Sequence, residues 1–371
     1  EGLNEYSNIR YWQKKYKGRN EQIIISEFVQ NKLGIAKNLS MSWFTYAGYA
    51  NSGKSKDAQS LNLTAEKYSA GNYFQHYSKT AVFMRYLEHY LGEDKMDEIL
   101  QDFYRQWEFR HPYPEDLEAV FAAHLQEDLE WFFDNVFEKT TYVDYGIIKT
   151  GDQYILDNYG TFTCPVEVAF YNVSGQEIQR DWYHKIDNKR TLSLPTGAVS
   201  ARIDPDHHMP DVNRSNNSTK RRLNLNFVWD QPTYFNHDVN IVPWLFSYNY
   251  YNRFTPGLTI FSGFVPGYDG SGNALSFLYD FNHKKPVGGF SITRPIRSIS
   301  LFHVSSLNIK LDRGSGRTGF NAGITGTIKE PYIESPVARI NANLFYHYLD
   351  STALDPVLYD DGKFFIMSLD Y

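Results

Sequence analysis

Residues 77–92 read YSKTAVFMRYLEHYLG, and the spacing of their apolar side chains decides the first half of the fold. Tyr77, Ala81, Met84, Leu87 and Leu91 recur at steps of three and four, which lines them along one face of a helix. Gly92 follows where a helix stop belongs. Downstream, EDKMDEILQDFYRQWEF places Met96, Ile99, Leu100, Phe103 and Trp107 on one face, with acids in its first turn. In HPYPEDLEAVFAAHL, Pro114, Glu115 and Asp116 mark another helix start, and EDLEWFFDNVF closes the helical zone. Short connections predict consecutive antiparallel helices.

Upstream, the same texture reaches residue 1. In EGLNEYSNIRYW and just beyond, Glu1, Leu3, Tyr6, Ile9, Trp12 and Tyr16 fall mostly along one helical stripe. No Ser, Thr, Asp or Asn precedes them to satisfy the first amides, so the true start of this element is expected upstream. Between these helices SMSWFTYAGYANSGKS, residues 40–55, reads as a Gly/Ser-rich aromatic interruption.

From about Tyr145 the period changes to two. CPVEVAFYN, EIQRDWYHK, RTLSLPTG and SARIDPD alternate apolar and polar residues between turn clusters, as a small antiparallel sandwich requires. After the polar joint DVNRSNNSTKRR come longer alternating runs: VNIVPWLFSYNYYN, LTIFSGFV, ALSFLYDFNH, SISLFHVSSLNIKLD, FNAGITGTIK, VARINANLFYHYLD and KFFIMSLDY. Strands of about ten residues suit a membrane-spanning barrel, and a soluble β-domain accommodates them equally. The expected organisation is multidomain, α then β: helical residues 1–143, a β-sandwich over 144–213, and an antiparallel β-domain or barrel over 222–371.

Composition narrows the function classes. At 371 residues, 22% charged and 42% hydrophobic, the chain is globular rather than disordered, with room for two to three domains. A net charge of −6 without a long basic stripe argues against nucleic acid. The aromatic share of 17% suits packed helices or the interfacial girdles of membrane barrels. One cysteine, Cys164, excludes an internal disulfide and a thiolate metal site, and its strand-like surroundings point to packing. No apolar run is long enough for a transmembrane helix, which leaves a barrel open.

GYANSGKS, Gly48–Ser55, fits the phosphate-loop pattern, but no buried strand precedes it and no apolar helical stripe follows, so an ordinary Gly/Ser loop is the better reading. None of the histidines stands four residues from another, so HExxH is absent. DPDHHMPD gathers Asp204, Asp206, His207, His208 and Asp211, which reads as a polar turn at a strand end before it reads as a cation site. There is no G-x-S-x-G.

EGLNEY together with HYSKTAVFMRYLEHYLG resembles the aminopeptidase N-like zinc metallopeptidases, the gluzincins. In that family HExxH gives two zinc ligands and a following W-L-x-E-G-x-x-x-Y helix gives the third. The resemblance puts Glu1 at the ligand position and Tyr6 at the recurrent tyrosine. It also puts Tyr77 where a phenol stabilises the tetrahedral intermediate. EDLEWFFDNVFEKTTYVDY and ARIDPDHHMPDVNRSNN resemble the later helices and the end of the β-domain of bacterial members, so the likeness covers about residues 1–217. It departs from the family in three places: Thr80 stands where a glycine follows the lysine, the stretch from Glu1 to Tyr77 is somewhat long, and the HExxH helix is missing. What it implies is the helical half of a gluzincin catalytic domain from a bacterial cell envelope, acting on peptide substrates and holding zinc in an intact protein. This chain alone, with no histidine ligands, is expected to bind no zinc and to be silent. The alternative is an outer-membrane or surface module that keeps a peptidase scaffold for binding or anchorage, with residues 222–371 meeting lipid. Without the resemblance, Tyr77 is a core-edge tyrosine and Glu1 a solvated carboxylate.

Overall fold

The computed structural model describes residues 1–16, 41–53, 58–68, 70–126, 129–227, 237–245, 248–249, 252–262, 272–296, 302, 304–314, 316–328, 338–349 and 362–370. Helices come first and antiparallel sheets follow, an α-then-β multidomain arrangement. The chain divides into two compact units, one spanning Glu1–Arg222 and one beginning at Leu223.

In the first unit the helices are α1 (Gly2–Tyr16), α2 (Met41–Gly53), α3 (Ala70–Tyr73), α4 (Gln75–Leu91), α5 (Glu93–Trp107), α6 (Pro114–His124) and α7 (Glu130–Phe133). A π-helical turn, Asp134–Glu138, continues α7. Ala81, Met84 and Leu87 of α4 are fully buried, and Gly92 ends the helix at φ 90°, a left-handed conformation that costs a glycine little. The Tyr113 amide donates to Asp116 Oδ2 at 2.8 Å, so the acids at the start of α6 cap it.

The interruption expected over residues 40–55 is a helix for most of its length. Tyr46, Ala47, Tyr49 and Ala50 are buried, and the small residues that suggested a loop serve close packing instead. A Cβ at Gly48 would lie 2.9 Å from Ser78 Oγ of α4. The phosphate-loop match therefore has Gly48–Gly53 inside α2, where the backbone amides are bonded within the helix; Lys54 and Ser55 lie outside the described residues.

Two three-stranded antiparallel sheets follow: β1 (Tyr145–Thr150), β2 (Gln153–Asn158) and β5 (Lys189–Leu192) in one, β3 (Val166–Tyr171), β4 (Glu177–Tyr183) and β6 (Ser200–Ile203) in the other. Tyr154 and Phe170 touch between the sheets, with ring centroids 6.3 Å apart. Helices and sheets share one core. Phe83 of α4 stacks on Phe162 at 5.3 Å and meets Tyr49 edge-on at 5.5 Å, while the Tyr86 hydroxyl donates to the Pro165 carbonyl. The polar run 211–222, which reads as a joint, is tucked into this core over its first half. Asp211 Oδ2 accepts the Tyr145 amide at 3.0 Å, and the Ile203 amide donates to the Asn217 carbonyl at 2.8 Å. Asp211 is polar because its carboxylate satisfies the Tyr145 and Asn213 amides inside the core, not because it faces solvent.

The second unit holds β7 (Leu223–Phe227), β8 (His237–Trp244), β9 (Tyr248–Asn249), β10 (Arg253–Phe254), β11 (Gly257–Ser262), β12 (Gly272–Asp280), β13 (Lys285–Pro295), β14 (Val304–Gly314), β15 (Arg317–Ile328), β16 (Ala338–Leu349) and β17 (Gly362–Asp370). Nine of them form one sheet in the order β17-β16-β15-β14-β13-β12-β11-β8-β7, antiparallel except for the β7–β8 pair, while β9 and β10 pair with each other. The long strand expected over VNIVPWLFSYNYYN stops at Trp244, because its partner β11 begins at Gly257, opposite Trp244, and offers no ladder beyond. The outer strands are β17 and β7; no pairing among the described residues closes the sheet into a barrel.

Register sorts the side chains of this sheet onto two faces. Ile241 lies opposite Ile260, Ile260 opposite Leu275, and Leu275 opposite Phe290. The same row runs on from Phe290 through Leu311, Phe320 and Tyr346 to Phe365. One residue further along each strand the row is Asn240, Phe261, Ala274, Ser291, Lys310, Asn321, Phe345 and Ile366, which mixes polar with apolar side chains. On that second face Thr259 and Ser276 share a hydrogen bond of 2.8 Å, and Arg317 pairs with Asp312 at 3.0 Å.

Candidate active-site cluster

The first turn of α1 lies against the first turn of α4 because glycine allows it. A Cβ on Gly2 would stand 2.3 Å from Thr80 Cβ and 2.6 Å from the His76 carbonyl oxygen. The Glu1–Gly2 pair therefore has a packing reason: the glycine lets the backbones approach, and the glutamate before it reaches the next helix. Thr80 fills the space that Gly2 leaves open.

Further along α1, Tyr6 and Ile9 are buried, and Arg10 bridges to Glu88 Oε1 of α4 at 3.2 Å and to Glu93 Oε1 of α5 at 3.1 Å. Arg85 holds the other Glu88 oxygen at 3.0 Å, so both cations satisfy a nearly buried carboxylate. Burial first, and the adjacent Glu88 carboxylate next, raise the Tyr6 phenol far above its ordinary range.

This packing brings together the two residues singled out by sequence. Glu1 Oε1 accepts a hydrogen bond from the Tyr73 hydroxyl at 2.9 Å, and the Tyr73 ring sits 6.1 Å from that of Tyr77. The Tyr73 hydroxyl is pushed up to about 12, first by its bond to the Glu1 carboxylate and then by the neighbouring Tyr77 hydroxyl, both of which favour the neutral phenol. Tyr73 escaped the sequence reading, yet its spacing of four from Tyr77 was a signal for a shared helical face. Its neighbour His76 points Nδ1 at the Tyr73 carbonyl, 3.2 Å away, and packs edge-on against Tyr68.

Chemically, the cluster offers a carboxylate able to ligate a cation and phenols able to donate to an oxyanion. Among the described residues no group of three His, Cys, Asp or Glu side chains is placed to hold a metal ion, and one carboxylate does not fix a tetrahedral geometry.

Other singled-out residues have structural roles. Asp204 accepts the His208 and Met209 amides at 2.7 and 2.9 Å, while Arg214 donates to the His207 and Met209 carbonyls, the pattern of a polar turn after β6. Burial lifts the Asp204 carboxyl to about 7 and pulls His207 down to about 2. Cys164 is buried, and burial pushes its thiol up to about 12, which makes it inert. Lys79 lies two residues after Tyr77. It is almost wholly enclosed and donates to the carbonyls of Asn135 in the π turn and of Lys139 just after it, at 3.4 and 3.1 Å. Burial draws its ammonium down to about 7.

No protein-family model matches the chain, and neither does any curated protein. Among solved structures it is similar to the crystal structure of Legionella pneumophila aminopeptidase A in complex with aspartic acid, with 14% sequence identity and a TM-score of 0.39. The likeness covers 57% of this chain and 23% of that one, so the chain spans about a quarter of the length of this neighbour. So distant a likeness assigns neither a residue nor an activity.

Proposed function

We infer that the first unit is the helical half of an aminopeptidase-like metalloprotein together with its β-domain. The observation that carries this reading is the convergence of Glu1 and Tyr77 on Tyr73 at the facing ends of α1 and α4. In an intact protein the expected reaction is zinc-assisted hydrolysis of an N-terminal peptide bond. There Glu1 would hold the zinc beside two histidines supplied from outside this sequence, the metal would act as a Lewis acid, and the Tyr77 hydroxyl would be placed to donate to an oxyanion. The 371-residue chain contains no HExxH, so alone it is silent. Two assays test this. With zinc supplied, the purified chain leaves aminoacyl arylamides uncleaved, and zinc-dependent turnover refutes the assignment of the missing ligands. In a longer protein that carries HExxH, Tyr77→Phe lowers kcat by about 10²–10³ with zinc retained. Glu1→Gln instead releases the zinc.

A second reading rests on the other unit. Its two-faced sheet supports part of an antiparallel β-barrel in the outer membrane of a bacterial envelope. On this reading the first unit is a scaffold for binding or anchorage with no chemistry of its own. Among the described residues no helix is long and apolar enough to cross a membrane, which bears on helices only. Detergent dependence tests it: the reading expects aggregation in plain buffer, and a stable monomer there argues against it.

A further inference from the structure

The barrel reading leaves open which side of the sheet meets the membrane, and on that reading we propose that the face carrying Leu275, Phe290, Leu311, Phe320 and Tyr346 is immersed in phospholipid acyl chains. The opposite face, with Ser291, Lys310, Asp312, Asn321 and His347, lines water.

Three observations lead there. The first is continuity. From β8 to β17 the row through Ile260, Phe290 and Phe320 contains no polar residue, although a soluble sheet of this size needs a second layer over such a face. Among the described residues the unit supplies no helix and no second large sheet to cover it. Leu311, Ile324 and Phe365 stand 48%, 44% and 65% exposed. A patch that runs across eight strands exceeds what water-soluble monomers leave open.

The second observation is where charge falls on this face. Arg313, opposite Gly288, and Lys363, opposite Tyr348, sit at one level. Arg294 sits six positions beyond Gly288 along β13, which at about 3.4 Å per residue is roughly 20 Å away. Between the Arg313–Lys363 level and Arg294 this face carries no charge among the described residues, and with strands tilted about 35–45° that length spans about 14–17 Å, within the apolar band of about 25 Å expected between two layers of phosphate headgroups. Tyr279 and Tyr348 lie near the Arg313–Lys363 level, where interfacial aromatics belong. A second copy of the chain would require neither the uncharged band nor its basic margins.

The third observation is the other face, whose polar groups bond to one another. Lys310 and Arg317 both reach Asp312, and Asn224 and Asn226 both donate to Asp238. Such a face is at home in water and too costly in hydrocarbon.

The test uses the full chain in a Cys164→Ala background, with single cysteines at Leu311, Ile324, Lys310 or Asn321, each labelled with an environment-sensitive fluorophore. The protein is reconstituted into phosphatidylcholine–phosphatidylglycerol vesicles, with or without brominated acyl chains. Labels at 311 and 324 are expected to shift to the blue and lose most of their emission to brominated lipid, while labels at 310 and 321 do neither. Quenching at 310 and 321, or at all four, overturns the face assignment and leaves the barrel reading standing. Failure of the chain to float with vesicles overturns both. Protection of 311 and 324 in lipid-free buffer, accompanied by a dimer on sizing, makes a second copy the occupant and refutes the lipid assignment. Circular dichroism of each labelled variant, compared with the parent, establishes that the sheet is intact.

Discussion

Truncating Phe83 tests whether the helices and the small sheets of the first unit fold as one body. Phe83 is fully buried, stacks on Phe162 at 5.3 Å, touches Tyr49 and Phe132, and has the Lys79 ammonium 5.9 Å from its ring centre. Replacing it with alanine removes a large core side chain, which costs about 3–5 kcal/mol. The pair term with Phe162, measured as the coupling between Phe83→Ala and Phe162→Ala, is about 0.5–1.5 kcal/mol. The assay is native-state hydrogen exchange read on peptides from α4 and from β3. If the core is shared, each single variant lowers protection in both segments by the same amount, since both open through one cooperative transition. Loss of protection in α4 with β3 unchanged, or additivity within about 0.3 kcal/mol, refutes a common core and restores a boundary near residue 143.

Lys79 supplies a pH signature. Its ammonium titrates at about 7 in the fold against an ordinary 10.5, so the unfolded chain binds the extra proton between those values and stability rises with pH across that window. The gain is on the order of 3–5 kcal/mol, and denaturant unfolding of Lys79→Met should lack the slope. Arg10→Met leaves the Glu88 carboxylate with Arg85 as its remaining close cation and should cost about 1–3 kcal/mol, read as a shift in denaturation midpoint. Cys164 should resist alkylation in the native protein and react at once in denaturant; rapid native labelling contradicts its burial.

How much was legible in the sequence depended on whether a residue's role was periodic or contextual. The stripe in α4, the glycine stop at Gly92 and the alternation of the late strands were legible because side-chain period reports directly on which face is buried. Residues 41–53 were misread, since small residues signal a loop by composition but a tight helix crossing in context, and only the presence of Ser78 across the gap distinguishes the two. The hairpin β1–β2 left no strong alternation in YGIIKTGDQYILDN, although Gly151 at φ 60° marks its turn. Asp211 and Asn216 looked like part of a joint because their partners, the Tyr145 amide and the Asp144 carboxylate, lie far away in sequence. In the candidate site, Glu1 and Tyr77 came from a resemblance, while Tyr73 needed the packing of Gly2 on Thr80 to become visible.

The central proposal is that Glu1, just ahead of α1, serves as a metal ligand beside histidines in an intact protein. The most direct measurement is to sequence the reading frame ahead of the Glu1 codon. The account predicts an in-frame HExxH within a helical segment shortly before Glu1. A frame in which either histidine is replaced, or in which no such helix occurs, contradicts it.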